Sequence, residues 1–378
     1  MKKKLTSAVL AAAMLVGLAG LVTPLRAEED QAAAQAGRAD ADGKYEIALI
    51  TDVGTIDDRS FNQGSWEGVK SFAEENDKSY KYYKPTEQSD AAYEDAIDLA
   101  INGGAKVVVC PGFLFEVPIY VKSEEYPDVK FILIDGVPHP DGEPAPEEIA
   151  DNTIAVNYRE EQAGFLAGYA AVIDGNRKLG FMGGMAVPAV VRFGYGFAQG
   201  AEVAAKELGL AQGDVSLKYT YVGGFNADPK YTTMAASWYN EGVEVIFACG
   251  GQIGSSIMAG AEQSKGKVIG VDVDQSADSE TVITSAMKNL KLSVYENIKK
   301  FYDDSWKGEV QHLGAHEDMV LIAMDTARFD SFNQEKYDEI YEKLKNDEFE
   351  IKTDKINEDG EGGVEALELE LVTVENIE

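Results

Sequence analysis

From Tyr45 onward the sequence alternates between short apolar runs and amphipathic segments, and it does so in two successive series. The first series predicts strands at Tyr45–Asp52, Ser79–Lys84, Lys106–Pro111, Val129–Asp135 and Thr153–Asn157. Helical spacing of apolar residues appears between them at Phe61–Glu75, Ala91–Asn102 and Val117–Tyr126. The second series predicts strands at Leu179–Met182, Ser216–Val222, Val243–Cys249 and Lys267–Asp272, with helices at Pro188–Leu208, Lys230–Asn240 and Ser255–Gln263. Unbroken runs such as Lys106-Val-Val-Val-Cys110 suit strands covered on both faces, hence parallel sheets. Two such series make an α/β chain of two doubly wound lobes. The tail adds elements at Val282–Ala286, Ser293–Trp306, Met319–Met324, Glu335–Leu344 and Phe349–Lys352, so the chain must cross back between lobes.

Ahead of this pattern, Met1-Lys2-Lys3-Lys4 and the apolar run Leu5 to Val22 have the layout of a secretory signal, with Leu25-Arg26-Ala27 as a cleavage site. The same run is also nearly long enough to act as an uncleaved anchor. The expected organisation is a signal peptide at 1–27 and a flexible tether at 28–44. Residues 45–157 with 287–318 form a first lobe, 158–286 with 319–353 a second, and 354–378 an acidic C-terminal extension. The mature protein is therefore expected outside the cytoplasm. Its 66 Asp and Glu against 34 Lys and Arg, a net charge of −32, argue against nucleic acid as a partner, because phosphates call for an excess of basic side chains. Only Cys110 and Cys249 occur, each at the end of an apolar run, and they read as equivalent buried strand ends rather than a disulfide.

Parallel α/β sheets bind ligands beyond the carboxyl ends of their strands. Here those ends carry Asp52-Val-Gly-Thr-Ile-Asp-Asp58, Pro111-Gly-Phe-Leu-Phe115, Asp135-Gly136, Gly183-Gly184, Gly223-Gly224, Gly250-Gly251 and Asp272-Val-Asp274. Glycines there let backbone amides approach a ligand, though they also serve ordinary strand-to-helix turns. Ser60-Phe61-Asn62-Gln63 has the spacing of a capping box, with Ser60 capping the helix and Gln63 reaching back. Capping leaves Phe61 unexplained: at the cleft mouth it would stack on a flat ligand, and on the helix's inner face it would be core. Asp52, Asp135 and Asp272 end three apolar strands; each could grip a diol or the N–H edge of a base, or cap the next helix. Lys288 is a candidate positive counterpart.

Other chemistries find little support. Asp272, Asp274, Ser276, Asp278 and Glu280 alternate like a calcium loop, but Ala277 and Ile283 stand where the turn glycine and bidentate glutamate belong. His312 and His316 lie four apart without an evident third ligand. No phosphate loop, nucleophile elbow or dinucleotide fingerprint is present in the sequence, and no cofactor is called for.

The segment Asp52-x-Gly-x-Ile-Asp-Asp-Arg-Ser-Phe-Asn-Gln-Gly-x-Trp-Glu-Gly68 resembles the opening signature of the basic membrane protein family, substrate-binding lipoproteins of ABC importers that include purine nucleoside receptors. The resemblance continues through Phe131-Ile-Leu-Ile-Asp-Gly136, Glu161-Gln-Ala-Gly-Phe-Leu-Ala-Gly168, Gly180-Phe-Met-Gly-Gly184, Ala248-Cys-Gly-Gly251, Ile269-Gly-Val-Asp-Val-Asp-Gln275 and Thr284-Ser-Ala-Met-Lys288. It implies a type I periplasmic-binding fold whose lobes close on a nucleoside. By the same resemblance, Asp52 and Asn62 bind the base edge and Phe61 stacks on the ring. Gly250 and Gly251 form the opposite wall, while Asp135, Asp272 and Lys288 hold polar groups of base or ribose. The implied partners are a small nucleoside and the ABC permease subunits, and the protein is expected to be a monomer with no catalytic residues.

Two departures stand out. Family members carry a lipid on a cysteine just after the signal, and none stands there; anchoring by the leader, free secretion or an altered leader all remain open. Cys249 precedes the double glycine, where an aromatic would complete a two-sided stack. A sugar or signalling-molecule receptor of the same fold, or a nucleoside hydrolase, are the alternative readings.

Overall fold

The computed structural model describes residues 37–146, 148–354 and 363–377; the signal peptide at 1–27 and the start of the tether lie outside the described residues. Within them, two seven-stranded sheets form. The first contains β1 (Gly37–Arg38), β2 (Ile47–Ile50), β3 (Tyr80–Tyr83), β4 (Val107–Pro111), β5 (Lys130–Ile134), β6 (Thr153–Tyr158) and β12 (Glu309–Leu313), ordered β1-β3-β2-β4-β5-β6-β12. The second contains β7 (Lys178–Gly183), β8 (Val215–Tyr221), β9 (Val245–Cys249), β10 (Lys267–Asp272), β11 (Val282–Lys288), β13 (Val320–Ile322) and β14 (Val372–Asn376). Its order is β13-β11-β10-β9-β7-β8-β14. Only the edge pairings of β1 and β13 are antiparallel. The central strands β4 and β9 are wholly buried, as their continuous apolar runs require.

The chain passes between the sheets after β6, β11 and β12. Tyr158 is followed by helix α4 (Glu160–Ile173) in the second lobe, and Lys288 by helix α8 (Leu290–Tyr302), which packs on helix α1 (Phe61–Glu75) in the first. Helix α4 lies against helix α5 (Pro188–Glu207) in backbone contact. A Cβ on Gly164 or Gly168 would sit 2.1 Å from the Phe193 carbonyl oxygen or 2.0 Å from that of Phe197. From the other side, a Cβ on Gly196 or Gly200 would sit 2.0 Å from the carbonyl oxygen of Glu161 or Phe165. Glycine at i and i+4 on both helices is what lets them meet so closely, and it brings the start of α5 over the start of α4.

Several expectations need correction. Residues 354–378 are not simply an acidic extension: Val364 and Leu367 are buried, and β14 adds a parallel edge strand beside β8. Part of the tether is also tied down, since Gly37–Arg38 pairs antiparallel with Tyr80–Lys81. Phe349–Lys352 is not a strand, because its backbone bonds to a side chain instead. The Lys352 N–H donates to Gln199 Oε1 at 2.8 Å and its carbonyl accepts from Gln199 Nε2 at 2.9 Å, while the Phe349 ring rests 4.8 Å from Phe165. The strand Glu309–Leu313 escaped notice because this partly buried edge strand is mostly polar.

The C-terminal strand is held by one carboxylate. Glu202 accepts from the backbone N–H groups of Glu370, Leu371 and Val372 at 2.9–3.2 Å. Burial works against its charge, but those donors and Lys206 outweigh it and hold the carboxyl below the ordinary glutamate value. A depressed folded pKa gives stability that is present above the unfolded value of about 4.3 and lost as pH falls through the folded one. Glu202→Gln is therefore expected to lower unfolding free energy at neutral pH by about 1.5–3 kcal/mol, the typical worth of hydrogen bonds to a charged group. Urea titrations should show this gap closing in acid, and equal wild-type and variant stability at neutral pH would contradict it.

Candidate ligand-binding site

The carboxyl ends of the central strands of both sheets face one another across a cleft of about 830 Å³, its open mouth included. Asp52, Phe61, Asn62, Asp135, Gly250, Gly251, Asp272 and Lys288 all line it. Asp52 follows β2, Asp135 follows β5 and Asp272 ends β10. The last two adopt left-handed backbone at φ 61° and φ 67°, a conformation that aspartate tolerates better than most residues.

On the first lobe, the start of α1 is built around Asp58. Its carboxylate accepts from the backbone N–H groups of Ser60, Asn62 and Gln63 at 2.9–3.1 Å, so Asp58 satisfies the helix's free donors. This corrects the capping box: Ser60 makes no side-chain cap, and its hydroxyl instead donates across the cleft to Asp272 Oδ2. The carboxylate two residues upstream reaches the same N–H groups with two oxygens, which frees the serine. Gln63 does reach back, accepting from the Arg59 N–H at 3.1 Å.

Asn62 Nδ2 donates to Asp52 Oδ1 and to Asp58 Oδ2, both at 3.0 Å, and Asp52 Oδ1 also accepts from the Gly54 N–H at 3.0 Å. Burial pushes the Asp58 carboxyl up to about 6 despite its donors, and raises that of Asp52 as well. Asn62 Oδ1 is buried with no hydrogen-bond partner among the described residues.

At the centre lies Lys288, 3% exposed. Its Nζ stands 2.6 Å from Asp135 Oδ2, 3.3 Å from Asp272 Oδ1 and 3.7 Å from Glu160 Oε1. Burial opposes its charge, but the carboxylates of Asp135, Asp272 and Glu160 outweigh it and hold the ammonium protonated. Burial raises the Asp135 carboxyl in spite of Lys288, and its Oδ1 is buried without a partner among the described residues. Glu160 is in turn bonded by Arg192 Nε at 2.6 Å, a meeting set by the close α4–α5 packing. Asp135 belongs to the first lobe and Asp272 to the second, so this ammonium ties the lobes together.

Lys288 Nζ also lies 4.5 Å from the centroid of the Phe61 ring and 5.6 Å from that of Phe193, a cation–π arrangement. Phe61 is half-buried and lines the cleft, so it is neither wholly core nor free of it. The glycine pair forms the facing wall in the second lobe. Gly251 needs φ 56°, and a Cβ on Gly250 would lie 2.9 Å from the Gly184 nitrogen.

Among the other lining residues, Asp58, Phe113, Phe193 and Phe225 were given no role of their own from the sequence. Phe113 and Phe225 follow the glycines of the turns after β4 and β8, a signal available at those turns; Phe193, inside α5, carries none. Phe193 and Phe225 supply aromatic surface on the second lobe, which Cys249 does not. Cys110 and Cys249 are free, buried thiols. The acidic run after β10 is used within the protein: Asp278 pairs with Arg59 at 2.9 Å across the cleft mouth, and Asp274 accepts from Thr326 Oγ1 at 2.7 Å.

Solved structures share this architecture. An ABC transporter solute-binding protein from Aeropyrum pernix superposes with a TM-score of 0.70 at 23% identity, over 83% of this chain and 95% of that one. One from Conexibacter woesei gives 0.63 at 20% identity, over 82% and 99%. By sequence, the chain is 28% identical over 318 residues to the "ABC transporter nucleoside-binding protein BmpA" of Lactococcus lactis subsp. cremoris, covering 78% of this chain and 84% of that protein. It is 30% identical over 257 residues to "Basic membrane protein A2" of Borrelia garinii subsp. bavariensis, covering 67% and 71%. Residues 45–357 match the Bmp family model, described as "ABC transporter substrate-binding protein PnrA-like", and the chain belongs to that family of substrate-binding proteins.

Proposed function

We propose that this protein captures a nucleoside, purine by preference, between its lobes outside the cytoplasm and delivers it unchanged to an ABC permease. The observation that carries the reading is a half-buried aromatic ring, Phe61, lining the same cleft as Asn62 and Asp135, whose Oδ1 atoms are buried without a partner among the described residues. A flat base with N–H groups and a ribose with hydroxyls would meet these demands together. Leaving such atoms unpaired costs roughly 1–3 kcal/mol each, so a ligand that supplies hydrogens gains that back on binding. The printed name of the Lactococcus lactis relative, a nucleoside-binding protein, supports the same ligand class. The family's description supports delivery to a transporter. Among the described residues no helix is long and apolar enough to cross a membrane. An extracytoplasmic location is supported by the leader's composition, which lies outside the described residues.

Calorimetry with guanosine, inosine, adenosine, cytidine, ribose and glucose is expected to rank nucleosides first. Tightest binding of the hexose would overturn the reading. Stacking on one aromatic contributes about 1–3 kcal/mol per base, so Phe61→Ala is expected to weaken nucleoside binding by roughly tenfold. Unchanged affinity would return Phe61 to a packing role. If Asp135 reads the sugar, 2′,3′-dideoxyinosine should bind about fivefold or more weaker than inosine, through loss of a charge-assisted hydrogen bond. Equal affinities would remove Asp135 from ribose recognition.

A further inference from the structure

The Asp52–Asn62–Asp58 cluster has a chemical polarity that its residue types alone do not reveal. A carboxamide carries two donor hydrogens on nitrogen and an acceptor oxygen. At Asn62 both hydrogens are taken, one by Asp52 Oδ1 and one by Asp58 Oδ2, each at 3.0 Å. Rotating the amide would set its oxygen against two carboxylates, so the orientation is not free to reverse. Asn62 is 3% exposed, and its Oδ1 has no partner among the described residues. Asp58 is itself immobilised by three backbone N–H groups at the start of α1. The glycines around the cluster leave no slack: a Cβ on Gly54 would lie 2.4 Å from Asn62 Nδ2, and one on Gly112 would lie 2.9 Å from Asp52 Oδ2. With their carboxyls ionised, the side chains of this cluster therefore offer a ligand acceptors only.

We infer that Asp58 is a positioning residue: by holding the Asn62 amide, it makes this edge of the cleft select nucleosides whose base presents adjacent N–H donors, as guanine does with its N1–H and 2-amino group, over adenosine, whose ring N1 is an acceptor. The inference rests on the nucleoside reading above and deepens it. An adenine N1 lone pair facing Asn62 Oδ1 or Asp52 would place acceptor against acceptor, and sites built to pair a hydrogen reject analogues that lack it. Asp58 need not touch the ligand to exert this selection.

Calorimetry on the full chain with guanosine, 1-methylguanosine and adenosine tests it. Guanosine is expected to bind roughly tenfold or more tighter than either, the size of penalty that an unpaired buried polar group imposes. Asp58→Asn, whose side chain can donate as well as accept, is expected to narrow the guanosine-to-adenosine ratio by about threefold or more. Loss of helix capping alone would weaken both ligands alike and leave that ratio unmoved, which would overturn the positioning role. Adenosine binding as tightly as guanosine, or 1-methylguanosine matching guanosine, would overturn the inference while leaving the nucleoside reading intact. Binding of glucose with no nucleoside bound would remove both. Should Asp58→Asn fail to fold, the guanosine-to-adenosine ratio of Asp58→Ser, which can still cap the helix but cannot hold the amide with a second oxygen, decides the positioning role: a narrowed ratio supports it and an unmoved one overturns it.

Discussion

Everything at the centre of this protein is arranged around one buried ammonium. Taking a charge such as that of Lys288 out of water costs several kcal/mol, and the structure compensates with carboxylates drawn from both lobes and the crossover between them. Asp135 and Asp272 reach it because their strands end in left-handed turns, and Glu160 because α4 starts directly after a crossover. Each of those carboxylates has its own second anchor or an open oxygen. Asp272 accepts from Ser60, Glu160 from Arg192, and Asp135 keeps Oδ1 unpaired. A single point charge thus couples the two sheets, the Phe61 ring and the α4–α5 helix pair. The small residues along that helix pair are a precondition for it, because a larger side chain at Gly164 or Gly196 would push Arg192 away from Glu160.

The fold class was legible because both lobes consist of strands covered on two faces. Burial on both faces demands unbroken apolar runs, which stand out against the amphipathic helices between them, as in Lys106-Val-Val-Val-Cys110. Edge strands lack that demand. Glu309–Leu313 carries polar residues along a partly buried edge, and Val372–Asn376 sits in an acidic tail whose pairing depends on a distant carboxylate, Glu202. Neither register nor partner is written locally in such segments. Phe349–Lys352 shows the converse: an alternating pattern that reads as a strand but whose backbone is satisfied by Gln199.

At the site, strand-end position was enough to bring Asp52, Asp135, Asp272, Lys288 and the Gly250–Gly251 turn to one cleft, since the carboxyl edge of a parallel sheet is where such residues converge. What the residue types could not reveal was the division of labour. Ser60 and Asp58 are both ordinary helix-capping residues, and only the geometry shows that Asp58 caps while Ser60 bridges to the other lobe. Phe193 was hidden for a different reason: it lies within an amphipathic helix, where one more apolar residue is expected, and reaches the cleft only because α5 begins at its edge.

The same contacts bear on how such a cleft opens and closes. Across its mouth, Arg59 bonds Asp278 and its carbonyl accepts from Gln275 Nε2, while Ser60 bonds Asp272 deeper in. In the Arg59–Asp278 pair the arginine is exposed, which screens the interaction, whereas Asn62 Oδ1 and Asp135 Oδ1 are buried. In the proposed role, the closed arrangement is therefore favoured by the Lys288 bridge and weakly at the rim, and penalised at Asn62 Oδ1 and Asp135 Oδ1 until a ligand brings hydrogens to them. A ligand shifts such an equilibrium only by its differential affinity for the closed state, and these two oxygens are where that difference would arise. The protein's net charge of −32 adds a general repulsion between lobes that the cross-cleft bonds must also overcome. Hydrogens supplied at these two atoms would add to what stacking on Phe61 contributes, so the site can discriminate among ligands of nearly identical shape.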